Sequence, residues 1–533
     1  MVVHRRNKQP VPTPSVATRS ERKSDGADRR RLGLLYYVSV SVVLLCNFWY
    51  LVGSFGSDGA PFGGYTLMGS VPRVRLPGPD TPFREDTIKH GVPVILTNTV
   101  VQNWDALNKW DISYVEAQAG NTIKNVYVHK EPLFGPLWRD KKPFAAMKTL
   151  VHRNQFGVQD MPKKAFFSRM ANTSAQTEYV YYTGSFESRQ LAKDLQPFKE
   201  LLVPGKVEHV NIWAGQAGVV THLHYDSYEN FFVQLSGRKK FLIFPPSQTH
   251  NVYSYPFLHP SNAQSQINLD QPDLDAFPHH ANAACWEADL GPGDMLYIPP
   301  MYWHQVVAID SNFGMNAWSK SVFTEYFNEA IQASVKPFIR KNEVSKWIWT
   351  AHSKSATVYY LLRRLFSKVE VSLQPPAPPA KTPTTFALFL AKLGLNKPSP
   401  GLTADDLSQQ PSSEIASPRK YMNVLWAERY EQLVANGELV VQQSSPSSSH
   451  FLCPATGAKE GDVLSSLSNG AGEKAEVEAI VTDMLPKLVS LFNKFPASIR
   501  FQFLGNYIES LALWAVGGES AVDFFYHCYV KNQ

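Results

Sequence analysis

Between residues 76 and 320 the apolar positions fall in short runs, among them 94–96, 207–213, 231–235, 241–244 and 295–298, with Gly, Pro and Asn between them. Runs of that length bounded by turn residues predict many short strands forming a β-sandwich or barrel, not alternating strands and crossover helices. Ser236-Gly237-Arg238, between two of the runs, predicts a hairpin turn. Beyond residue 322 the pattern changes. The stretch 323–371 has no glycine and only Pro337 as a breaker, and its spacing suits helices. Residues 372–419 are Pro-rich and read as an extended linker. The remainder, 420–533, reads as helical with a mobile Ser/Gly-rich loop near 443–472. There Val477, Val481, Met484, Leu488, Leu491 and Phe495 recur at steps of three and four, and 506–516 is a further amphipathic segment.

The N-terminus has a different pattern. Residues 32–55 carry no charged side chain, and a helix of that length spans roughly 36 Å, enough to cross a hydrocarbon layer. Tyr36, Tyr37, Trp49 and Tyr50 lie toward its ends, where amphipathic rings favour the interface. The preceding segment, 1–31, holds nine Lys/Arg against three acidic residues, an excess that equals the formal net charge of +6 of the whole chain. A basic block before an apolar span predicts a signal-anchor helix, a cytoplasmic tail at 1–31 and a flexible stem at 56–75. The rest of the chain would then face a lumen or the exterior, in the endomembrane system.

Charge and cysteine refine this picture only slightly. Past residue 31 the chain is formally neutral, which gives no sign of a nucleic-acid-binding surface. Four cysteines without a CxxC pair signal neither a disulfide framework nor a zinc site. The sequon Asn172-Thr173-Ser174 would suit a lumenal loop. A chain of 533 residues exceeds what one core usually sustains, so two folded units or one domain with large additions are expected.

Candidate chemistry is concentrated in Thr221-His222-Leu223-His224-Tyr225-Asp226. In a strand, residues two apart share a face, so His224 and Asp226 would present an imidazole and a carboxylate side by side. A second imidazole would complete a two-histidine, one-carboxylate triad that leaves three coordination positions open, as non-haem iron(II) oxygenases require. His304, delivered by Gly291-Pro-Gly-Asp and the apolar strand after it, is the candidate. Lys239 lies on a strand with apolar residues on both faces, and a buried ammonium there would need an anion, which a dicarboxylate would supply. His222 shares the expected face with His224, and with Glu229 it offers a rival ligand set of the manganese-cupin type.

The segments THLHYDSYENFFVQLSGRKKFLIFPPSQ (221–248), YSYPFLHPSNAQSQINLDQPD (253–273), GPGDMLYIPPMYWHQV (291–306) and MNAW (315–318) resemble the JmjC/cupin-type Fe(II)/2-oxoglutarate-dependent hydroxylases. Within them the likeness is greatest to the asparaginyl hydroxylase type, factor inhibiting HIF. The resemblance implies a mainly β domain at 76–322, built on a double-stranded β-helix (jelly-roll) with flanking helices. It implies iron ligation by His224, Asp226 and His304, with Thr221, Lys239 and Tyr179 holding the distal carboxylate of 2-oxoglutarate. Asn230 and Asn316 match positions near the metal-binding end of the co-substrate, Gln264 a position that contacts the target side chain, and Trp318 one that packs beside the site. Ala263 stands where the asparaginyl hydroxylase has arginine, which leaves the substrate open. Fe(II), 2-oxoglutarate and O2 are the expected cofactors, with ascorbate supportive. The expected reaction is hydroxylation of a side chain in a protein or peptide, and family analogy adds a homodimer through the C-terminal helices. Two other classes remain: a non-oxygenase metal cupin (isomerase or manganese oxidase) and a non-catalytic scaffold.

Overall fold

The structure is a computed structural model that describes residues 64–146, 156–172, 177–206, 208–345, 351–371, 417–441 and 471–530. Fifteen strands follow one another along the described chain. They are β1 (Tyr65–Ser70), β2 (Arg73–Arg75), β3 (Val94–Thr97), β4 (Thr122–His129), β5 (Leu133–Phe134), β6 (Gly157–Pro162), β7 (Tyr179–Gly184) and β8 (Glu208–Gly215). Then come β9 (Val220–Tyr225), β10 (Tyr228–Ser236), β11 (Lys239–Phe244), β12 (Ala283–Leu290), β13 (Met295–Ile298), β14 (Trp303–Ala308) and β15 (Asn312–Lys320). Six strands pair in the order β1-β12-β11-β14-β9-β5 and nine in the order β2-β3-β13-β10-β15-β8-β7-β4-β6.

The two sheets face each other across an apolar layer that includes Phe232, Phe241, Ile243, Leu296, Ile298 and Val306. Each sheet also buries its outer face. The nine-stranded sheet is covered by α1 (Arg84–His90), α2 (Ile112–Gln118), α3 (Lys163–Ala171) and α4 (Arg189–Asp194). The six-stranded sheet is covered by C-terminal helices: α5 (Val322–Ser345), α6 (Ala351–Phe366), α7 (Pro418–Arg429), α8 (Glu431–Ala435), α9 (Ala471–Asn493), α10 (Ala497–Val516) and α11 (Gly518–Phe525). Because both faces of most strands are covered, their burial runs nearly unbroken instead of alternating.

The heptad-like residues Val477, Val481, Met484, Leu488, Leu491 and Phe495 are all buried in the same cluster as Leu223, Phe244 and Trp303 of the barrel. The stripe read as a packing face thus packs within the chain, chiefly against α5 and α6. Among the described residues no helix is long and apolar enough to cross a membrane. The charge-free segment 32–55, the basic tail and nearly all of the Pro-rich linker lie outside the described residues. The described part of the stretch expected as a flexible stem (56–75) is instead mostly strand: β1 pairs with β12 and β2 with β3, so the backbone there is held by ladder hydrogen bonds.

The turn at Ser236-Gly237-Arg238 is not a hairpin. β10 pairs with β13 and β15, whereas β11 pairs with β12 and β14, so the connection is a corner carrying the chain from one sheet to the other. Gly237 takes φ +70°, and a Cβ built there would lie 2.5 Å from the Ser311 carbonyl oxygen. Gly237→Ala is therefore expected to cost more than about 1 kcal/mol, read as a lowered Tm. A loss within experimental error would show that the corner relaxes.

Candidate metal centre

His224 and His304 are cross-strand partners on β9 and β14, and Asp226 follows directly after β9. The two imidazole centroids are 4.2 Å apart, and His304 Nε2 is 3.8 Å from Asp226 Oδ2. One ligand atom from each of the three residues lies within 4.8 Å of the others. Both rings are oriented from behind. His224 Nδ1 donates to the His222 carbonyl at 2.7 Å and His304 Nδ1 to the Tyr302 carbonyl at 3.1 Å, so each Nε2 is left bare toward the shared centre. Met301 N–H donates to the Asp226 carbonyl at 2.7 Å and pins the third residue.

The electrostatics fit a cation. Burial holds both imidazoles down at about 4, so they are neutral bases at neutral pH, and the same burial raises the Asp226 carboxyl. Asp226 Oδ2 is buried without a hydrogen-bond partner. A buried carboxylate oxygen left unpaired is costly unless an ion meets it. Two neutral nitrogens and one carboxylate oxygen, with the remaining directions facing a cavity, suit iron(II).

That cavity, of about 180 Å³, extends between the sheets from the three ligands to Lys239. Lys239 begins β11 opposite Ala308, while Ile243 lies opposite His304, so the two ends are about 13 Å apart along the strand. The Lys239 side chain is buried, with its ammonium 5.6 Å from the Tyr181 ring centroid and 5.3 Å from that of Phe232. No carboxylate pairs with it among the described residues, and burial alone pulls its pKa down to about 7.

Strand alternation would have turned Thr221 away from His224. The structure resolves this with a bulge: His304 pairs with His224 and Val306 with Thr221, so β9 spends three residues where β14 spends two. The extra residue brings Thr221 to the cavity; His222 also borders it, but its Nε2 donates to the Ser265 carbonyl at 2.7 Å and the ring is not among the clustered ligand groups. Glu229 also points elsewhere, accepting from the Tyr297 hydroxyl at 2.7 Å. The rival manganese-type set of His222 and Glu229 is therefore not assembled.

The tyrosine beside Thr221 is Tyr181, not Tyr179. The Thr221 hydroxyl donates to the Tyr181 oxygen at 3.2 Å, and Tyr181 lines the cavity. Tyr179 lies two residues earlier on the same strand, outside the lining, with its ring near Gly218. A two-residue slip preserves the face of a strand, so parity cannot separate the two; the stagger of β7 on β8 does. Asn316 donates to Asn230 Oδ1 at 3.3 Å and accepts from Trp213 Nε1 at 2.7 Å, and both asparagines line the cavity. Trp318 lines the cavity and stacks on Tyr228. Gln264 also lines it, but its side-chain amide is engaged with the backbone of Leu137, both accepting from the N–H and donating to the carbonyl at 2.9 Å.

Comparison with known proteins agrees with this geometry. Residues 80–325 match the family described as the cupin-like domain. The chain is 26% identical over 261 residues to lysine-specific demethylase 8 of Xenopus tropicalis, covering 47% of this chain and 52% of that one. It is 27% identical over 278 residues to the bifunctional peptidase and (3S)-lysyl hydroxylase JMJD7 of Homo sapiens, covering 47% and 84%. To HSPB1-associated protein 1 of Homo sapiens it is 34% identical over 155 residues, covering 27% and 30%. The chain spans about half the length of lysine-specific demethylase 8 and of the demethylase JMJ30 of Arabidopsis thaliana. Residues 80–325 are thus similar to the cupin-like domain and to JmjC-type relatives, and they hold a His-Asp-His cluster between the two sheets.

Proposed function

We propose that this protein is an Fe(II)- and 2-oxoglutarate-dependent oxygenase that hydroxylates a side chain of a protein or peptide. The observation that carries the reading is the convergence of His224, Asp226 and His304 on one point of a cavity whose other end holds a buried ammonium without an anion. His224, Asp226 and His304 would hold iron; Lys239 and Thr221, backed by Tyr181, would take the distal carboxylate of 2-oxoglutarate. When bound, iron with the 2-oxo acid supplies the chemistry that places one atom of O2 in a C–H bond and the other in succinate, with carbon dioxide released. The protein orients the ligands through the His222 and Tyr302 carbonyls, and the aromatic walls exclude water. The likeness to a lysine-specific demethylase and a lysyl hydroxylase, and the motif likeness to the asparaginyl hydroxylase, support a protein side chain as target.

The test is release of labelled succinate from 2-oxoglutarate by the purified protein with iron and ascorbate. Turnover supports the reading; iron-loaded protein that releases none overturns it.

Lys239 gives a separate expectation. Its folded pKa lies below that of an unfolded lysine, so the folded state binds fewer protons between about pH 7 and the ordinary lysine range. Its contribution to stability is therefore most unfavourable below about pH 7 and improves as pH rises through that window. Lys239→Met is expected to raise the Tm of ligand-free protein at neutral pH and to flatten this dependence. It should also weaken 2-oxoglutarate binding about ten- to hundredfold, the loss of a ~1.5–3 kcal/mol charge-assisted contact. Calorimetric titration of wild type and variant checks both; unchanged affinity would place the carboxylate elsewhere.

We further propose that the chain is a single-pass membrane protein anchored through residues 32–55, with the catalytic domain lumenal or extracellular. The basic flank at 1–31 supports this orientation, as does the disulfide at Cys528, a bond of oxidising compartments. Protease protection of the domain in sealed microsomes is the expected result; digestion without detergent overturns it.

A further inference from the structure

A second cavity, of about 290 Å³, opens on the other side of the Asp226 carboxylate. Arg139, Tyr225, Asp226 and Ala263 line both this space and the metal cavity, so the two are continuous around one ligand. Its remaining wall is partly aromatic, and Phe327, Phe495, Phe503 and Asn506 of that wall lie beyond residues 80–325. Phe327 of α5 meets Phe503 of α10 edge to face at 5.3 Å between centroids, and Phe323 stacks on Phe495 at 5.3 Å. An apolar space of ~150 Å³ already holds a benzene-sized group. This one accommodates a large side chain together with part of its backbone.

Two further features mark the space as built for a ligand. Ala263 and Met301, which both line it, have φ of +65° and +70°. Non-glycine residues held there carry strain that collects at functional sites. Their backbones clamp the ligand segment, since Tyr225 N–H donates to the Ala263 carbonyl at 2.9 Å and Met301 N–H to that of Asp226 at 2.7 Å. At the rim, Arg139 Nη1 is fixed by Asn262, donating to its Oδ1 at 2.7 Å and its carbonyl at 3.1 Å. Arg139 forms no ion pair among the described residues; its charge acts on the Asp226 carboxyl, opposing the effect of burial there, and its fixed guanidinium lines both cavities.

We infer that this cavity is a recognition subsite of the substrate polypeptide: it receives a bulky apolar side chain close in sequence to the residue that enters the metal cavity, while Arg139 pairs with an acidic side chain of the same segment. This rests on the oxygenase reading above and specifies its substrate. An extended chain advances ~3.3 Å per residue, so the apolar residue lies within about three positions of the modified one. The C-terminal helices, which the cupin-like domain does not include, thereby set specificity.

The test uses the full-length protein in detergent with iron, 2-oxoglutarate and ascorbate. The probe is a library of capped peptides with a central lysine, asparagine, aspartate or histidine and randomised flanks, scored by mass for gain of one oxygen. Oxidised peptides are expected to be enriched about tenfold or more in Leu, Met, Phe or Trp at one flanking position, the discrimination a filled apolar subsite gives. A second position should be enriched in Asp or Glu. Phe327→Glu should exchange the apolar preference for Lys or Arg. Arg139→Glu, an exposed change that leaves the core intact, should exchange the acidic preference for a basic one. Preferences that neither variant alters overturn the placement. Succinate release without any enriched flank overturns the subsite and leaves the oxygenase reading standing. Failure to release succinate at all with iron bound takes down both.

Discussion

Asp226→Ala is expected to abolish stoichiometric iron binding and to lower succinate release by more than about a hundredfold, beyond what loss of a mere orienting partner produces. Two imidazoles remain on adjacent strands, but the site loses its only charge and one of three fixed ligand directions. The same substitution should leave the metal-free fold as stable as before or slightly more so. In the absence of a cation, the Asp226 carboxylate is buried with one oxygen unpaired and its pKa raised by that burial, a cost that alanine removes. Iron content by elemental analysis, succinate release and Tm, measured on one preparation, separate ligand loss from unfolding. Retained iron with retained turnover would mean that another residue is the carboxylate ligand.

Breaking the Arg429–Glu509 pair is expected to destabilise the whole described fold, not only the C-terminal region, by about 3–5 kcal/mol. Arg429 of α7 donates to Glu509 of α10 at 2.7 Å and to Asn506 at 3.0 Å, with both charged side chains almost completely buried. Glu509 also accepts from Leu258 N–H at 3.2 Å, and Asn506 reaches the hydroxyl of Tyr225, the residue between ligands His224 and Asp226, at 3.4 Å. Glu509→Leu alone strands a guanidinium in an apolar layer. The double change Arg429→Met with Glu509→Leu removes both charges and should recover most of the loss, because an apolar pair of similar volume is often no worse than a buried ion pair. Chemical denaturation of the three variants checks this. A single variant as stable as wild type would show that water reaches the site. Because the same helix touches Tyr225, the single variant should also weaken iron binding at temperatures where it is still folded.

Much of the site was legible along the chain because its parts are locally coded. His224 and Asp226 are two residues apart on a strand end, and the periodicity of a strand alone sets them side by side. The Gly291-Pro-Gly-Asp turn and the apolar run after it announced β13, but His304 sits on the next strand, β14, in the other sheet. The demand for a counter-charge beside Lys239 followed from the apolar residues around it. The strand-rich middle and helical tail were equally visible, since run length and spacing are local properties.

What the one-dimensional pattern left undecided depends on which strand lies next to which. The bulge that turns Thr221 inward exists only as a mismatch between β9 and β14. Tyr181 and Tyr179 share parity, and only the stagger of β7 on β8 places one of them at the co-substrate end. The Ser236-Gly237-Arg238 turn between two apolar runs reads as a hairpin, yet β10 and β11 each find better-matched neighbours in opposite sheets. The tail's apolar stripe advertised a partner without naming it; packing against α5 and α6 made that partner its own chain. The sequence by itself determined the ligand chemistry and the type of each element, because backbone periodicity and side-chain identity are carried residue by residue. Tertiary structure alone decided register, the cavity around Asp226 and the role of the C-terminal helices, because these arise from contacts between segments tens to hundreds of residues apart, which no local pattern encodes.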